Sequence, residues 1–328
     1  MDKKPLVSVV IPMYNLEDCV QTCFDALRNQ TAFDECEIIC VDDGSTDSTG
    51  EQLDLLAQDC SQLKVFHQRN QGQSSARNKG VSEATGEWVC FVDGDDLFSP
   101  RYLETLINHR RPNSIVCCKL EVVSKYVMPQ EAGTGNECHV SRNEAYRRFL
   151  LNEIEEGPYC KLYPRKIIED NPFPVGRQFE DLAAMGRFIL NTDGCVLVDK
   201  VIYSYVMRPG STIHPKACSI AKPLDYVRAV NEVEGYSLSS YPELSLEVNY
   251  RRFLSYMRMR PILKVVEDDG VKAHSLMDEQ ISFAKANVKS LVPLAPSKSQ
   301  RWRMLLFAKC PAVYDVAMSL YDKCLRGR

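Results

Sequence analysis

The chain has 328 residues, 45% apolar and 26% charged, with a formal net charge of −4. That length exceeds one ordinary domain, falls short of three, and comes with the composition of a globular chain able to bury a sizeable core. The mildly acidic balance excludes a general nucleic-acid binder. No run approaches the ~20 apolar residues a membrane-spanning helix requires. The start, MDKKPLVSVVIPMYN, has too short an apolar run for a signal-peptide core and no small-residue cleavage site, so the expected location is the cytoplasm. Fourteen cysteines form no Cys-x-x-Cys pair, and the five histidines show no zinc-ligand spacing. The thiols are expected to be reduced, small core residues.

Residues 6–11 form a continuous apolar, β-branched run of the kind that fills a parallel sheet covered on both faces. Val20, Phe24 and Leu27 follow at helical spacing, and residues 37–41 read as a second strand. Ser48 with Glu51 predicts a capping box ahead of the stripe Leu53, Leu56, Ala57 and Cys60. Residues 64–67, 73–85 and 87–92 read as strand, helix and strand, and Ser99-Pro100 predicts the start of another helix. This alternation with short connections implies an α/β, doubly wound, mostly parallel sheet. Further on, 114–124 reads as a strand, Ser141 with Glu144 caps a helix to about 152, 177–191 is helical and 195–206 strand-like. From about residue 220 the pattern is helical, with breaks near Pro242, Gly270 and Pro293–Pro296. The expected organisation is a catalytic domain over 1–218 and a helical domain over 219–328.

In doubly wound sheets ligands bind at the carboxyl ends of the strands. Polar clusters fall at three such ends: Pro12-Met13-Tyr14-Asn15, Asp42 to Asp47, and Asp93-Gly94-Asp95-Asp96. Asp93 and Asp95 are one residue apart, so in extended chain their carboxylates point to one side. Gly94 between them leaves room for backbone to approach an anion. Two hard oxygen donors suit Mg²⁺ or Mn²⁺ shared with a diphosphate. Read alone, the motif is better taken as a carboxylate-rich turn capping the next helix, but its position after the apolar strand Trp88 to Val92 reverses that.

Taken in order, Val7 to Asn15, Val41 to Asp47, Gly72 to Gly80 (GQSSARNKG) and Phe91 to Asp96 resemble the recurrent blocks of family 2 glycosyltransferases. The resemblance extends over residues 6–215. It implies the GT-A fold, a nucleotide-diphosphate sugar donor (UDP by family habit), a divalent cation and inversion at the anomeric carbon. Matching residue by residue, it implies that Pro12 and Tyr14 line the nucleobase pocket. Asp43 accepts a base N–H, Asp42 supports the turn, and Arg77 contacts the nucleotide. Asp93 meets the ribose or the metal shell, and Asp95 ligates the metal. Phe179-Glu180-Asp181-Leu182 resembles the family's Glu-Asp signature and implies Asp181 as general base, with Glu180 holding the acceptor or nearby backbone. Arg208-Pro209-Gly210-Ser211-Thr212 resembles the family loop that closes on the diphosphate, with His214 as a candidate metal ligand.

The family segment aromatic-Asn-Lys-Leu-Tyr departs here to Tyr159-Cys160-Lys161-Leu162-Tyr163. Gln300-Arg301-Trp302 lacks the spacing of the processive-synthase motif, which favours single-sugar addition to a glycan or lipid-linked acceptor, in surface polysaccharide synthesis. Over 298–328 seven basic residues face only Asp315 and Asp322, with Trp302, Leu305, Leu306 and Phe307 interleaved. Two readings stand open: docking at an anionic membrane face, or a solvated helix packed on its own domain or a partner. Against a sugar nucleotidyltransferase, no glycine-rich phosphate loop follows the first strand. Against an inactive scaffold subunit, Asp95 and Asp181 are both retained.

Overall fold

The computed structural model describes residues 4–207 and 217–326. In chain order the first strands and helices are β1 (Val7–Met13), α1 (Val20–Arg28), β2 (Cys36–Asp42), α2 (Thr49–Gln58), β3 (Leu63–His67), α3 (Gln73–Glu83), β4 (Trp88–Phe91), β5 (Leu97–Phe98) and α4 (Tyr102–Asn108). There follow β6 (Ser114–Val123), β7 (Glu137–Ser141), α5 (Arg142–Leu150), β8 (Lys161–Pro164), α6 (Arg165–Asp170), α7 (Glu180–Leu190) and β9 (Gly194–Val206). The remainder is α8 (Ala221–Ser240), α9 (Ser245–Leu263), α10 (Gly270–Leu291), α11 (Lys298–Lys309) and α12 (Pro311–Arg326).

One sheet runs β3-β2-β1-β4-β8-β6-β9-β5, with β7 pairing β9. Its first four strands are parallel, β8 runs antiparallel to both neighbours, and β6 and β9 are parallel again. The parallel four-strand part follows from the apolar runs: every residue of β1 and β2 is buried, as a sheet covered on both faces requires. Val7, Val9, Ile11 and Met13 share a core with α1, α2 and α4. Val10 points the other way, to α3, where a Cβ on Gly80 would lie 2.3 Å from Val10 Cγ1. Glycine is what lets α3 sit this close to β1. Helices therefore cover both faces, the doubly wound α/β arrangement read from the sequence.

Local signals were less reliable. Ser48 makes no cap bond. Its hydroxyl instead donates to Glu17, and Asp47 Oδ1 accepts the Thr49 amide at the start of α2. Ser99-Pro100 precedes α4 by a turn, with the Arg101 amide donating to Ser99 Oγ. The thiols behave as expected: nine of the thirteen described cysteines are buried and none of the thirteen is in a disulfide.

The chain forms two compact units, Met1–Tyr146 with Glu156–Met207, and Arg147–Glu155 with Arg208–Arg328. Residues 147–155 cluster with the helical residues and supply partners within that unit. Buried Arg251 needs a polar acceptor and finds Asn152 Oδ1 at 2.7 Å, with its guanidinium 5.0 Å from the Phe149 ring centre. Arg147 pairs with Glu247 at 2.9 Å. The helical unit is otherwise centred on Phe253, Phe307 and Tyr314, packed edge to face. No described helix is long and apolar enough to cross a membrane.

Candidate active site

The turn after β2 is held from within. Burial would raise the Asp42 carboxyl, but hydrogen bonds from Ser45 and His67 outweigh it and hold the pKa below the usual range. Asp43 is buried, and its carboxylate accepts from Gln68 Nε2 at 2.7 Å, the Gln71 amide at 2.9 Å and the Gly72 amide at 2.7 Å. Gly44 has φ +74°, and a Cβ there would lie 2.8 Å from the Asn70 amide nitrogen, so the chain can pass only as glycine. Asn15, in the left-handed region at φ 50°, accepts the Thr46 amide and ties the end of β1 to this turn. Pro12 is buried in β1, whereas Tyr14 stands 46% exposed just past its end.

The turn after β4 is of another kind. Asp93 Oδ1 accepts from Gln73 Nε2 at 3.2 Å and Arg77 Nη2 at 3.1 Å, leaving Oδ2 without a hydrogen bond among the described residues. Asp95 is partly exposed on the same turn. Gly94 is set by packing, since a Cβ would lie 2.4 Å from Met13 Sδ. Arg77, 2% exposed, donates its other Nη to Glu180 at 2.9 Å and lies over the Phe173 ring. It thereby bridges the β4 turn to the first turn of α7. Both partners are carboxylates rather than open solvent, and the residue Glu180 holds is Arg77.

Asp181 follows Glu180 at the head of α7, where Phe179 takes the left-handed conformation at φ 57°. A phenylalanine pays strain there, and the kink turns the first residues of α7 toward Arg77. Burial first, then the charges of Glu180 and Glu156, push the Asp181 carboxyl up to about 7. A carboxyl poised there can exchange a proton near neutral pH.

The sequence did not single out Asp96, Tyr203 or Tyr205. Both oxygens of buried Asp96 face inward, accepting from Tyr203 Oη at 2.7 Å and the Val206 amide at 2.9 Å. Burial, then Asp93 and Asp95, push its carboxyl up to about 8. The Asp93 amide also donates to Tyr203 Oη, and Tyr159 stacks on the Tyr203 ring at 5.2 Å. Tyr205 is pushed up to about 12 by burial and by Asp96, Asp93, Asp95 and Asp181, which locates it among these carboxylates. The available signal was the two-residue spacing of Tyr203 and Tyr205, which sets both rings on one face of β9. Cys160, in the left-handed region at φ 58° and 1% exposed, turns its thiol inward to the Lys119 carbonyl. Asparagine tolerates that backbone better than cysteine does.

Among the described residues no group of three or more His, Cys, Asp or Glu side chains is placed to hold a metal ion. Asp95 and the Oδ2 of Asp93 form a two-carboxylate set, and their charges help to lift Asp96. That donor set fits Mg²⁺ or Mn²⁺ with diphosphate oxygens and water completing the shell. Arg208, Ser211 and His214 lie outside the described residues.

Residues 8–171 match the model of glycosyl transferase family 2. The chain belongs to that family. It is 29% identical to the Streptococcus pneumoniae glycosyltransferase GlyG over 75% of this chain and 84% of that one. It is 43% identical to EpsH of Bacillus subtilis, a protein named for glycosyl transfer, over 54% of this chain but 52% of that one. Among solved structures, S. aureus TarS 1-349 with UDP-GlcNAc aligns at TM-score 0.61 and 22% identity, covering 88% of this chain and 81% of that one. A mannosyltransferase from Pyrobaculum calidifontis, solved with GDP-Man and Mn²⁺, aligns at TM-score 0.55 and 16% identity over 98% and 88%. These likenesses establish the glycosyltransferase fold, of GT-A type.

Proposed function

We propose that this family 2 chain is an inverting, metal-dependent enzyme that moves a single sugar from a UDP-sugar to a hydroxyl of a glycan or lipid-linked acceptor. The observation that carries the reading is the Asp93–Arg77–Glu180 bridge, which ties the carboxylate turn to the first turn of α7, where Asp181 lies. Nucleotide-sugar complexes of proteins with the same fold support the donor class.

In this reading Asp181 takes the proton of the acceptor hydroxyl as its oxygen bonds the anomeric carbon. The bond from that carbon to the diphosphate breaks on the opposite face, and its electron pair leaves with the nucleoside diphosphate, so the configuration inverts. Tyr14 and Pro12 border the nucleobase, Asp43 receives a base N–H through its remaining lone pair, and Arg208 and Ser211 close on the diphosphate. Arg77 positions Asp93 and Glu180. Mg²⁺ or Mn²⁺, held by Asp95 and Asp93 with His214 as a further ligand, would supply neutralisation of the departing charge.

The test is Asp181→Asn, which keeps size and the Oδ1 bond from the Leu182 amide but cannot take a proton. Transfer is expected to fall by about 10²–10⁴, with nucleotide-sugar binding in a thermal-shift titration unchanged. Near-parental transfer would place the base elsewhere. A joint loss of binding and melting temperature would make Asp181 a structural cap.

A further inference from the structure

The last two helices carry a surface that the transfer reaction does not use. On α12 the exposed residues Val313, Val316 and Leu320, 56%, 61% and 59% exposed, repeat at three and four residues and so share one helix face. Single exposed apolar residues are ordinary, but a row of them is not. Trp302 on α11 is 67% exposed, whereas Trp88, the other tryptophan, is buried in β4.

Charge decides what kind of partner fits. Residues 298–328 hold seven Lys and Arg against two acids, inside a chain of net charge −4. One of those acids is removed from the surface. Asp315 turns into the helical unit, accepting bidentate bonds from Arg260 at 2.7 and 2.9 Å and a third from Lys264 at 2.6 Å. By composition the segment keeps a surplus of positive charge, with Asp322 its other acid. Apolar row, exposed tryptophan and surplus positive charge together match the headgroup layer of an anionic bilayer.

We propose that α11 and α12 dock on an anionic lipid surface, with Val313, Val316 and Leu320 entering the headgroup layer and Trp302 at its edge. The inference stands apart from the transfer reading and needs no activity to test.

The full chain would be sedimented with vesicles of phosphatidylglycerol and phosphatidylcholine, and separately with pure phosphatidylcholine. Binding is expected to the anionic vesicles alone, to weaken with added salt, and to shift Trp302 emission to the blue. The double variant Val316→Asp/Leu320→Asp, at exposed positions, is expected to melt with the parent and to lose binding on the order of tenfold or more. Equal binding to neutral vesicles, absence of binding, or binding unchanged in the double variant would overturn the proposal. So would a concentration-dependent dimer in lipid-free buffer that the double variant abolishes, which would assign the face to a second copy. The Trp302 shift in the parent decides the matter even if the variant misfolds.

Discussion

At the carboxyl end of β2, Asp42 and Asp43 collect bonds from Ser45, His67, Gln68, Gln71 and Gly72. At the end of β4, Asp93, Asp95 and Asp96 crowd one four-residue turn, and burial with mutual repulsion lifts Asp96 to about 8. Both turns follow buried parallel strands and are rich in the same residue. The first spends its charge on the backbone and becomes a rigid loop. The second has donors on Asp93 and Asp96 but still sets three acids side by side, and the repulsion that remains is the electrostatic setting a bound cation would relieve.

The comparison breaks most sharply at Asp95. Asp95→Ala is expected to cut transfer by orders of magnitude while the melting temperature holds, and EDTA should do the same to the parent. Full activity in chelator would remove the metal from the β4 turn.

Next in size is the pH profile. The Asp181 carboxyl is raised to about 7, so it is protonated and silent below that pH and ionised above it. The kcat/KM for transfer is expected to rise about tenfold per pH unit below 6 and to level above about 7, as for one ionising base. Asp181→Asn should flatten that limb. A limb that survives the substitution belongs to another group.

The smallest effect sharpens the other side. Asp43→Ala leaves two backbone amides and the Gln68 amide without their acceptor, at a cost of about 2 kcal/mol. The melting temperature should drop by several degrees in differential scanning calorimetry. An unchanged melting temperature would mean the β2 turn is not held by this carboxylate.

Much of the fold was legible because it rests on local periodicity. Continuous β-branched runs mark β1 and β2, and three breaks among the helices from α8 onward fall at Pro242, Gly270 and Pro293, while the one before Pro311 went unread. β5, β7 and β8 were not legible, since two to five residues carry little pattern and their pairing is decided by strands far along the chain. The capping box at Ser48 failed because Glu17, 31 residues earlier, offers the hydroxyl a better partner.

The sequence by itself determined which strand ends carry acids, the family blocks and the candidate base, because these depend on residue type and short spacing. Tertiary structure alone decided which acids are satisfied. Arg77 meets Asp93 across 16 residues and Glu180 across 103. Tyr203 reaches Asp96 across 107. Spacing cannot encode such pairs, because they form only when the sheet order brings β4, β9 and α7 together and burial makes every unpaired charge costly. The same physics turns Asp315 toward Arg260 and Lys264, 55 and 51 residues earlier, a pairing that composition alone could not reveal.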